Sequence, residues 1–166
     1  RERIRGDAVI PYLNRLGASF GIGGRDRVVD KLVGPKTREY HQGPAAEILV
    51  AAHADLESIC LTKKERETKN GIDLAWNKLV DEGGWFTRLR HQLDAFVDET
   101  QGVVDGEVKI RLEPHHMIIA GRSSPHALYD PRLGRSDSAG LMAQSASRAY
   151  ARLMGLQETL AYRSGM

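Results

Sequence analysis

The sequence predicts an α+β fold in which several helices pack on one antiparallel sheet and an extended helix closes the chain. That sheet should include the strand before Gly34 and the hairpin at residues 107–121. Three observations support this prediction. Apolar residues recur at helical spacing over much of the chain, residues 107–121 alternate apolar and charged side chains as a β-hairpin does, and the C-terminal segment carries a narrow apolar stripe. The chain has 166 residues, which is enough for one domain with a sizeable core.

The first predicted element is a helix over residues 1–19, where Ile4, Leu13 and Leu16 follow helical spacing. Pro11 removes one backbone hydrogen bond, so we expect either a kink or a start near Asp7 with Pro11 in the first turn. The glycines at 21–24 should end this helix in a flexible turn.

A short buried strand, a cationic loop and a second helix are predicted next. The apolar residues of the strand are Val28, Val29, Leu32 and Val33. Gly34-Pro35 ends the strand, and the loop follows over residues 36–41. Pro44 suits the first turn of a helix that runs to about Leu61. A cationic loop beside a helix start favours an anionic or zwitterionic ligand.

The middle of the chain predicts further helices and a hairpin. Residues 62–70 alternate in charge, which is typical of a solvated helical face or an exposed connector. An amphipathic helix should follow over 72–81, and Thr87 should cap the next one. Residues 107–121 should form a β-hairpin that turns at Pro114-His115-His116. We interpret its two histidines as exposed turn residues, because no further metal ligand is evident.

The C-terminal segment over 139–166 is predicted to be one long helix after a polar loop at 131–138. Its stripe comprises Met142, Ala146, Ala149, Leu153, Leu156 and Leu160. A narrow apolar seam of this kind is typical of a helix that packs against another chain, although docking on its own domain remains open.

Composition excludes several classes of protein. The formal net charge of +2 requires neither a nucleic-acid nor a membrane partner. No apolar run is long enough to span a membrane, and no signal-peptide pattern occurs. The single cysteine, Cys60, rules out an internal disulfide framework and predicts a reducing, cytoplasmic location. We interpret it as a buried structural thiol.

Ordered motifs give a more specific prediction. They are Gly34-x-Lys36-Thr37-Arg38, Ala52-His53-x-Asp55-Leu56-Glu57, Gly83-x-Trp85-Phe86-Thr87-x-Leu89-Arg90, Val97-Asp98-Glu99-Thr100-Gln101 and Gly121-Arg122-x-Ser124-Pro125. At matching spacing, these motifs resemble the C-terminal half of the argininosuccinate synthase family. The resemblance covers about Leu13 to Gly140.

The resemblance implies an ATP-dependent carbon–nitrogen ligase. In that family ATP, with Mg²⁺, activates the ureido oxygen of citrulline, and the amine of aspartate attacks to give argininosuccinate, AMP and pyrophosphate. An N-terminal half, fused or separate, would handle ATP and aspartate, and its phosphate-loop motif does not occur in this sequence. Because the sequence begins Arg1-Glu2-Arg3-Ile4 without an initiator methionine, we expect the chain to be a piece of a longer polypeptide or the ordered part of one. The resemblance further implies a synthetase-type domain over 1–138 and an oligomerisation helix over 139–166 that helps to build a homotetramer.

The resemblance also implies an amino-acid acceptor pocket, in which a glutamate pairs with the ammonium group of the substrate and a tyrosine completes the site. Counting from Gly34, the family glutamate falls on Val29 and the family tyrosine on His41. We predict five substrate-binding residues and no catalytic residue in this chain. The five are Asp30, Lys36, Arg38, Tyr40 and His41. For Lys36 and Arg38, a structural ion pair with Glu39 or Glu47 is an equally good interpretation.

Three functions therefore stay open. The chain could serve argininosuccinate synthesis, with Asp30 and either Tyr40 or His41 taking over the pocket contacts. It could serve the same ligation on another acceptor, or it could be a catalytically inert assembly domain. Losing the carboxylate partner of a buried ammonium group is costly, which favours another acceptor for the full-length protein.

Overall fold

The structure is a computed structural model that describes residues 4–130 and 144–164. These residues form two units, which divide between Leu128 and Tyr129. Helices and antiparallel strands occupy separate stretches of the described chain, so the predicted α+β class is confirmed.

Ten elements make up the described chain. In order they are α1 (Gly6–Ser19), β1 (Gly24–Val29), β2 (Thr37–Gln42), α2 (Pro44–Cys60), α3 (Lys63–Asp81), α4 (Arg88–Gln101), β3 (Glu107–Glu113), β4 (His116–Ser123), α5 (Gln144–Met154) and α6 (Leu156–Arg163).

Helix α1 begins at Gly6, close to the predicted start, and packs against α2. Pro11 is its sixth residue, so the expectation that Pro11 lies in the first turn is wrong. The two helices approach closely at Gly17, where an added Cβ would lie 2.7 Å from the Cβ of Pro44. A glycine is needed at this crossing because any larger side chain would push the helices apart.

The strands form two separate hairpins, β1–β2 and β3–β4. The prediction of one sheet that contains both the strand before Gly34 and the 107–121 hairpin is therefore wrong. Each strand finds its partner locally, and α2 packs directly on β3 and β4. Each strand therefore pairs with the strand that follows or precedes it in the sequence, and no backbone hydrogen bonds join the two hairpins in the described part of the chain.

The first hairpin replaces the predicted buried strand and cationic loop. Strand β1 ends at Val29 and pairs there with Thr37, so most of the predicted loop is strand β2. Gly34 has a φ of 111°, which a side chain would strain, and it turns the chain together with Pro35. Leu32 and Val33 lie in this turn and are 66% and 88% exposed, rather than buried in a strand.

Helices α3 and α4 follow from strong capping signals. The charged stretch and the amphipathic stretch belong to a single helix, α3, which Thr62 and Glu65 begin with a capping box. The predicted cap of α4 is confirmed, because the Thr87 side chain accepts a hydrogen bond from the backbone N–H of Arg90.

A buried ion pair joins α2 to α3. Glu57 and Lys69 are 6% and 7% exposed, and the Lys69 Nζ lies 3.1 Å from a Glu57 oxygen. The same ammonium group donates to Asp73 at 2.7 Å, and Gln101 of α4 donates to Glu57 at 3.0 Å. Burial lowers the pKa of Lys69, but hydrogen bonds to Asp73 and Glu57 outweigh it and leave that pKa above its usual value. Three helices are therefore held together by one network of ion pairs and hydrogen bonds.

The second hairpin occurs where the sequence predicts it. Its turn is shorter than predicted, because His116 is already the first residue of β4. His115 adopts a left-handed φ of 58°, and its backbone N–H donates to the carbonyl of Phe20 at 2.6 Å. Both histidines are exposed, as the sequence interpretation states. The described residues contain no cluster of three or more metal-binding side chains.

The second unit contains α5 and α6, where the sequence predicts one continuous helix. Gly155 lies between the two helices, and a glycine lowers the helical preference at that point. Met142 and the predicted polar loop at 131–138 lie outside the described residues. The apolar residues Tyr150, Leu153, Met154, Leu156 and Leu160 are exposed. None of the described helices is both long enough and apolar enough to cross a membrane.

Candidate functional site

A cleft with an apolar helix wall lies between the first hairpin and α2, and we call it the hairpin cleft. Its volume is about 550 Å³. Both walls come from residues close in the sequence, since β2 leads directly into α2. The lining residues are Gly23, Arg25, Arg27, His41, Gly43, Ala46, Glu47, Val50, Ala51 and Ala54.

The hairpin register decides which side chains face the cleft. Arg25 pairs with His41, and Arg27 pairs with Glu39. Residues directly opposite each other in an antiparallel pair lie on the same face, and alternate residues along each strand share it. The face towards the cleft therefore carries Arg25, Arg27, Glu39 and His41, and the other face carries Asp26, Arg38 and Tyr40.

Two contacts fix the hairpin to the start of α2. The backbone N–H of Gly43 donates to the carbonyl of Gly23 at 2.9 Å. Gly23 has a φ of 88°, and an added Cβ would lie 2.5 Å from the backbone of Pro44. Two nitrogens of the Arg25 guanidinium group donate hydrogen bonds to the Glu47 carboxylate, and Nε lies 2.8 Å from its acceptor oxygen. The base of the cleft is therefore held by backbone contacts and by a bidentate ion pair.

The helix wall of the cleft is apolar. It consists of Ala46, Val50, Ala51 and Ala54, which recur at helical spacing on one side of α2. Val50 is 67% exposed in this chain, so its side chain is available to a ligand. Three of these four residues are alanines, which leaves room for an aliphatic chain.

We call the side of the cleft that the first hairpin forms the hairpin wall. Its charged residues differ in whether they have ion-pair partners. Glu39 accepts hydrogen bonds from Lys31, His41 and Thr37, and these contacts, with Lys31 contributing most, hold the pKa of Glu39 below its usual value. Arg25 is occupied by Glu47. Arg27 makes no ion pair or hydrogen bond with any side chain in the described part of the chain. Among the described residues that line the cleft, its guanidinium group is therefore an unpaired cation.

A sequence-family comparison decides the relationship of this chain to known proteins. Residues 2–161 match the family model described as Arginosuccinate synthase C-terminal domain. The chain belongs to the argininosuccinate synthase family. It is 37% identical to argininosuccinate synthase of Pyrococcus furiosus over 97% of the chain and 39% of that relative. It is 39% identical to argininosuccinate synthase of Rubrobacter xylanophilus over 89% of the chain and 36% of that relative. The chain thus spans little more than a third of the length of these two relatives.

The motifs that resemble the argininosuccinate synthase family meet in the fold. Asp55 of α2 pairs with Arg122 of β4, with 2.6 Å between carboxylate oxygen and Nε. The buried thiol of Cys60 donates to the Ser124 hydroxyl at 3.1 Å. Together with the contact between Glu57 and Gln101, these pairs tie α2 to α4 and β4. The motif residues therefore build the framework that carries the cleft.

The five residues predicted to bind substrate separate into three places. Asp30 and Lys36 pair with each other at the tip of the hairpin. Arg38 and Tyr40 lie on the face away from the cleft, where the Tyr40 hydroxyl lies against Gly24 beside a smaller pocket of about 130 Å³. His41 lines the hairpin cleft. The structure therefore brings His41 together with residues that were not predicted, Arg25 and Arg27.

The structure also identifies the ion-pair partners of the two predicted cations. Arg38 pairs with Asp26, with Nε at 2.9 Å from a carboxylate oxygen, and Lys36 pairs with Asp30. The expected partners, Glu39 and Glu47, bind other residues. This difference follows from the register, because Arg38 and Asp26 share one face of the hairpin, whereas Glu39 lies on the opposite face and Glu47 belongs to α2.

Titration of Asp26 should report the Arg38 pair directly. The Arg38 guanidinium holds the pKa of Asp26 below 3.8. The pair therefore contributes stability above pH 3.8, and that contribution is lost as the pH falls through the lowered pKa. NMR titration of the Asp26 carboxyl should give a value under 3.8 in the native chain and one close to 3.8 in Arg38→Gln. An unchanged value in the variant would contradict the pairing.

Proposed function

We propose that this chain is the C-terminal part of an ATP-dependent carbon–nitrogen ligase of the argininosuccinate synthase type. In this proposal the chain supplies one side of the amino-acid acceptor pocket, and the acceptor binds in the hairpin cleft. The observation that carries the proposal is the placement of His41. This residue occupies the position of the family tyrosine and lines a cleft between the hairpin and α2.

The proposal assigns ATP, Mg²⁺ and aspartate to another part of the enzyme. The sequence contains no phosphate-loop motif, and the described residues offer no cluster of three metal ligands. The side chains present therefore do not fit an ATP–Mg²⁺ site. An N-terminal half, fused to this chain or separate from it, would bring the activated acceptor and the aspartate amine together over the cleft. The described residues of the chain would bind and orient the acceptor.

The C-terminal segment supports a role in assembly. Tyr150, Leu153 and Leu160 are exposed in α5 and α6, and an uncovered apolar stripe is typical of a helix that packs against another chain. We propose that residues 139–166 form the oligomerisation segment of a homo-oligomer, a tetramer by analogy with the family, and that residues 1–138 form the synthetase-type domain.

One observation favours an acceptor other than citrulline. Val29 occupies the position of the family glutamate, so this position offers no carboxylate for an ammonium group. Asp30, the neighbouring carboxylate, lies at the tip of the hairpin and is paired with Lys36. An ammonium group bound in a dry site without a carboxylate partner would be strongly disfavoured.

Acceptor-dependent release of pyrophosphate tests the proposed function. The polypeptide that contains this chain, with its ATP-binding half, would be incubated with ATP, Mg²⁺ and aspartate and offered a panel of ureido compounds. We expect release that requires an acceptor, with citrulline among the poor ones. Absence of release with every acceptor would overturn the ligase and favour an assembly domain without catalytic activity. Efficient turnover of citrulline would overturn the altered acceptor and retain the ligase.

A further inference from the structure

We propose that the hairpin cleft holds the acceptor by a carboxylate group, which binds Arg27 beside His41, while an aliphatic chain of the acceptor lies on α2. This inference rests on the proposed function and names the class of acceptor: a ureido acid whose recognised end is an anion. It also identifies Arg27 as a specificity-determining residue.

The charge balance of the hairpin wall carries the inference. Two cations, Arg25 and Arg27, and one carboxylate, that of Glu47 on α2, line the cleft, while Lys31 and Glu39 of the same hairpin form an ion pair with each other. Apart from His41, these five side chains together carry one surplus positive charge. Both carboxylates already accept hydrogen bonds from cations of this wall, so neither is free to bind a ligand ammonium group. Arg27 has no such partner within the described residues.

A single surplus charge suits a monoanion. The guanidinium group presents a planar fork of donors that matches the two oxygens of a carboxylate. The replacement at Val29 acts in the same direction, because it removes a negative charge from the face that carries Arg27. Among the described residues, the cleft therefore presents an unpaired cation to a carboxylate and no unpaired carboxylate to an ammonium group.

The helix wall of the cleft would bind the aliphatic middle part of the acceptor. Ala46, Val50, Ala51 and Ala54 form an apolar strip opposite the hairpin. Methylene groups are stabilised when they leave water for such a surface, because apolar area is buried. A ligand with an anionic end and several methylene groups would therefore satisfy both walls at once.

Four ligands with the same ureido group separate the possibilities. They are ureidopentanoate, which carries only a carboxylate, its neutral amide, ureidobutylamine, which carries only an ammonium group, and citrulline, which carries both charges. Binding would be measured by calorimetry on the full polypeptide without ATP. We expect ureidopentanoate to bind about tenfold more tightly than the amide, because one charged hydrogen-bonded contact is gained. It should also bind more tightly than citrulline, because the ammonium group of citrulline would lack a carboxylate partner in the cleft. The amine should bind most weakly.

Variants of Arg27 test the residue itself. Arg27→Gln should remove most of the preference for ureidopentanoate over the amide and leave amide binding unchanged. Arg27→Lys should retain a reduced preference, because it keeps the charge but loses the fork. Arg66→Gln, an exposed arginine of α3 without an ion pair in the described chain, serves as the matched control and should keep the full preference.

The outcomes separate this inference from the proposed function. Binding of the amine or the amide as tightly as ureidopentanoate would overturn the carboxylate site, as would a full preference in folded Arg27→Gln. Such a result together with acceptor-dependent pyrophosphate release would leave the ligase intact. Conversely, a preference that depends on Arg27, without any pyrophosphate release, would retain the carboxylate site and overturn the ligase.

Discussion

Replacing Gly23 with alanine should lower the free energy of unfolding by about 3 kcal/mol. Two effects combine in this variant. The φ of 88° is strained for any residue with a side chain, and the new methyl group would lie 2.5 Å from the backbone nitrogen and Cα of Pro44. Backbone atoms at the start of a helix cannot move aside as a flexible side chain can. Denaturant unfolding followed by circular dichroism measures the loss.

Gly83 provides a matched control for the strain. Its φ of 85° is almost equal to that of Gly23, but an added Cβ would meet no heavy atom within 4 Å. Gly83→Ala should therefore cost about 1 kcal/mol, which is the strain alone. The remaining difference measures the clash that Gly23→Ala creates between the hairpin and α2. Equal losses in the two variants would contradict the close contact of Gly23 with Pro44.

Replacing Lys69 with methionine should destabilise the first unit by about 3 kcal/mol. The substitution keeps most of the side-chain volume but leaves Glu57 buried without its cation. Gln101 and His53 still contact the Glu57 carboxylate, so the expected loss lies at the low end for a broken buried pair. Lys64→Met is the matched control, because Lys64 is exposed on the same helix. We expect a change of less than about 0.5 kcal/mol there.

The pH dependence provides a second measurement of the same pair. The pKa of Lys69 in the folded chain is raised above its usual 10.5. Its contribution to stability is therefore complete below pH 10.5 and is lost as the pH rises through the folded value. The difference in stability between the native chain and Lys69→Met should be constant near neutral pH and should shrink in strongly alkaline solution. A difference that grows with alkaline pH would contradict the assignment.

The sequence predicts the elements whose signals are local. Pro44 begins α2, Thr87 caps α4, and the alternation over residues 107–121 forms a hairpin, because each of these signals acts within a few residues. The α+β class follows from the same patterns. The separation of the two hairpins does not, because the choice of a strand partner depends on contacts across the chain.

The residues of the candidate site also depend on a strand pairing that local sequence signals do not predict. The position of His41 follows from its place before α2, and the structure places it in a cleft. Its neighbour Arg27 was missed because the stretch before Val28 was not recognised as strand, so the register that places Arg27 opposite Glu39 could not be derived. An alternation test over residues 24–29 paired with 37–42 would have placed Arg25, Arg27 and His41 on one face.

Filling the hairpin cleft tests the central claim most directly, because the claim is that the acceptor binds there. Ala54→Trp places a large side chain on the exposed helix wall of the cleft, and Ala75→Trp places the same side chain on the exposed surface of α3. The measurement is pyrophosphate release by the full polypeptide at saturating ATP and aspartate, as the acceptor concentration is varied. We expect KM for the acceptor to rise by at least about tenfold in Ala54→Trp and to stay unchanged in Ala75→Trp. Equal KM values in Ala54→Trp and the native enzyme would contradict the binding of the acceptor in this cleft.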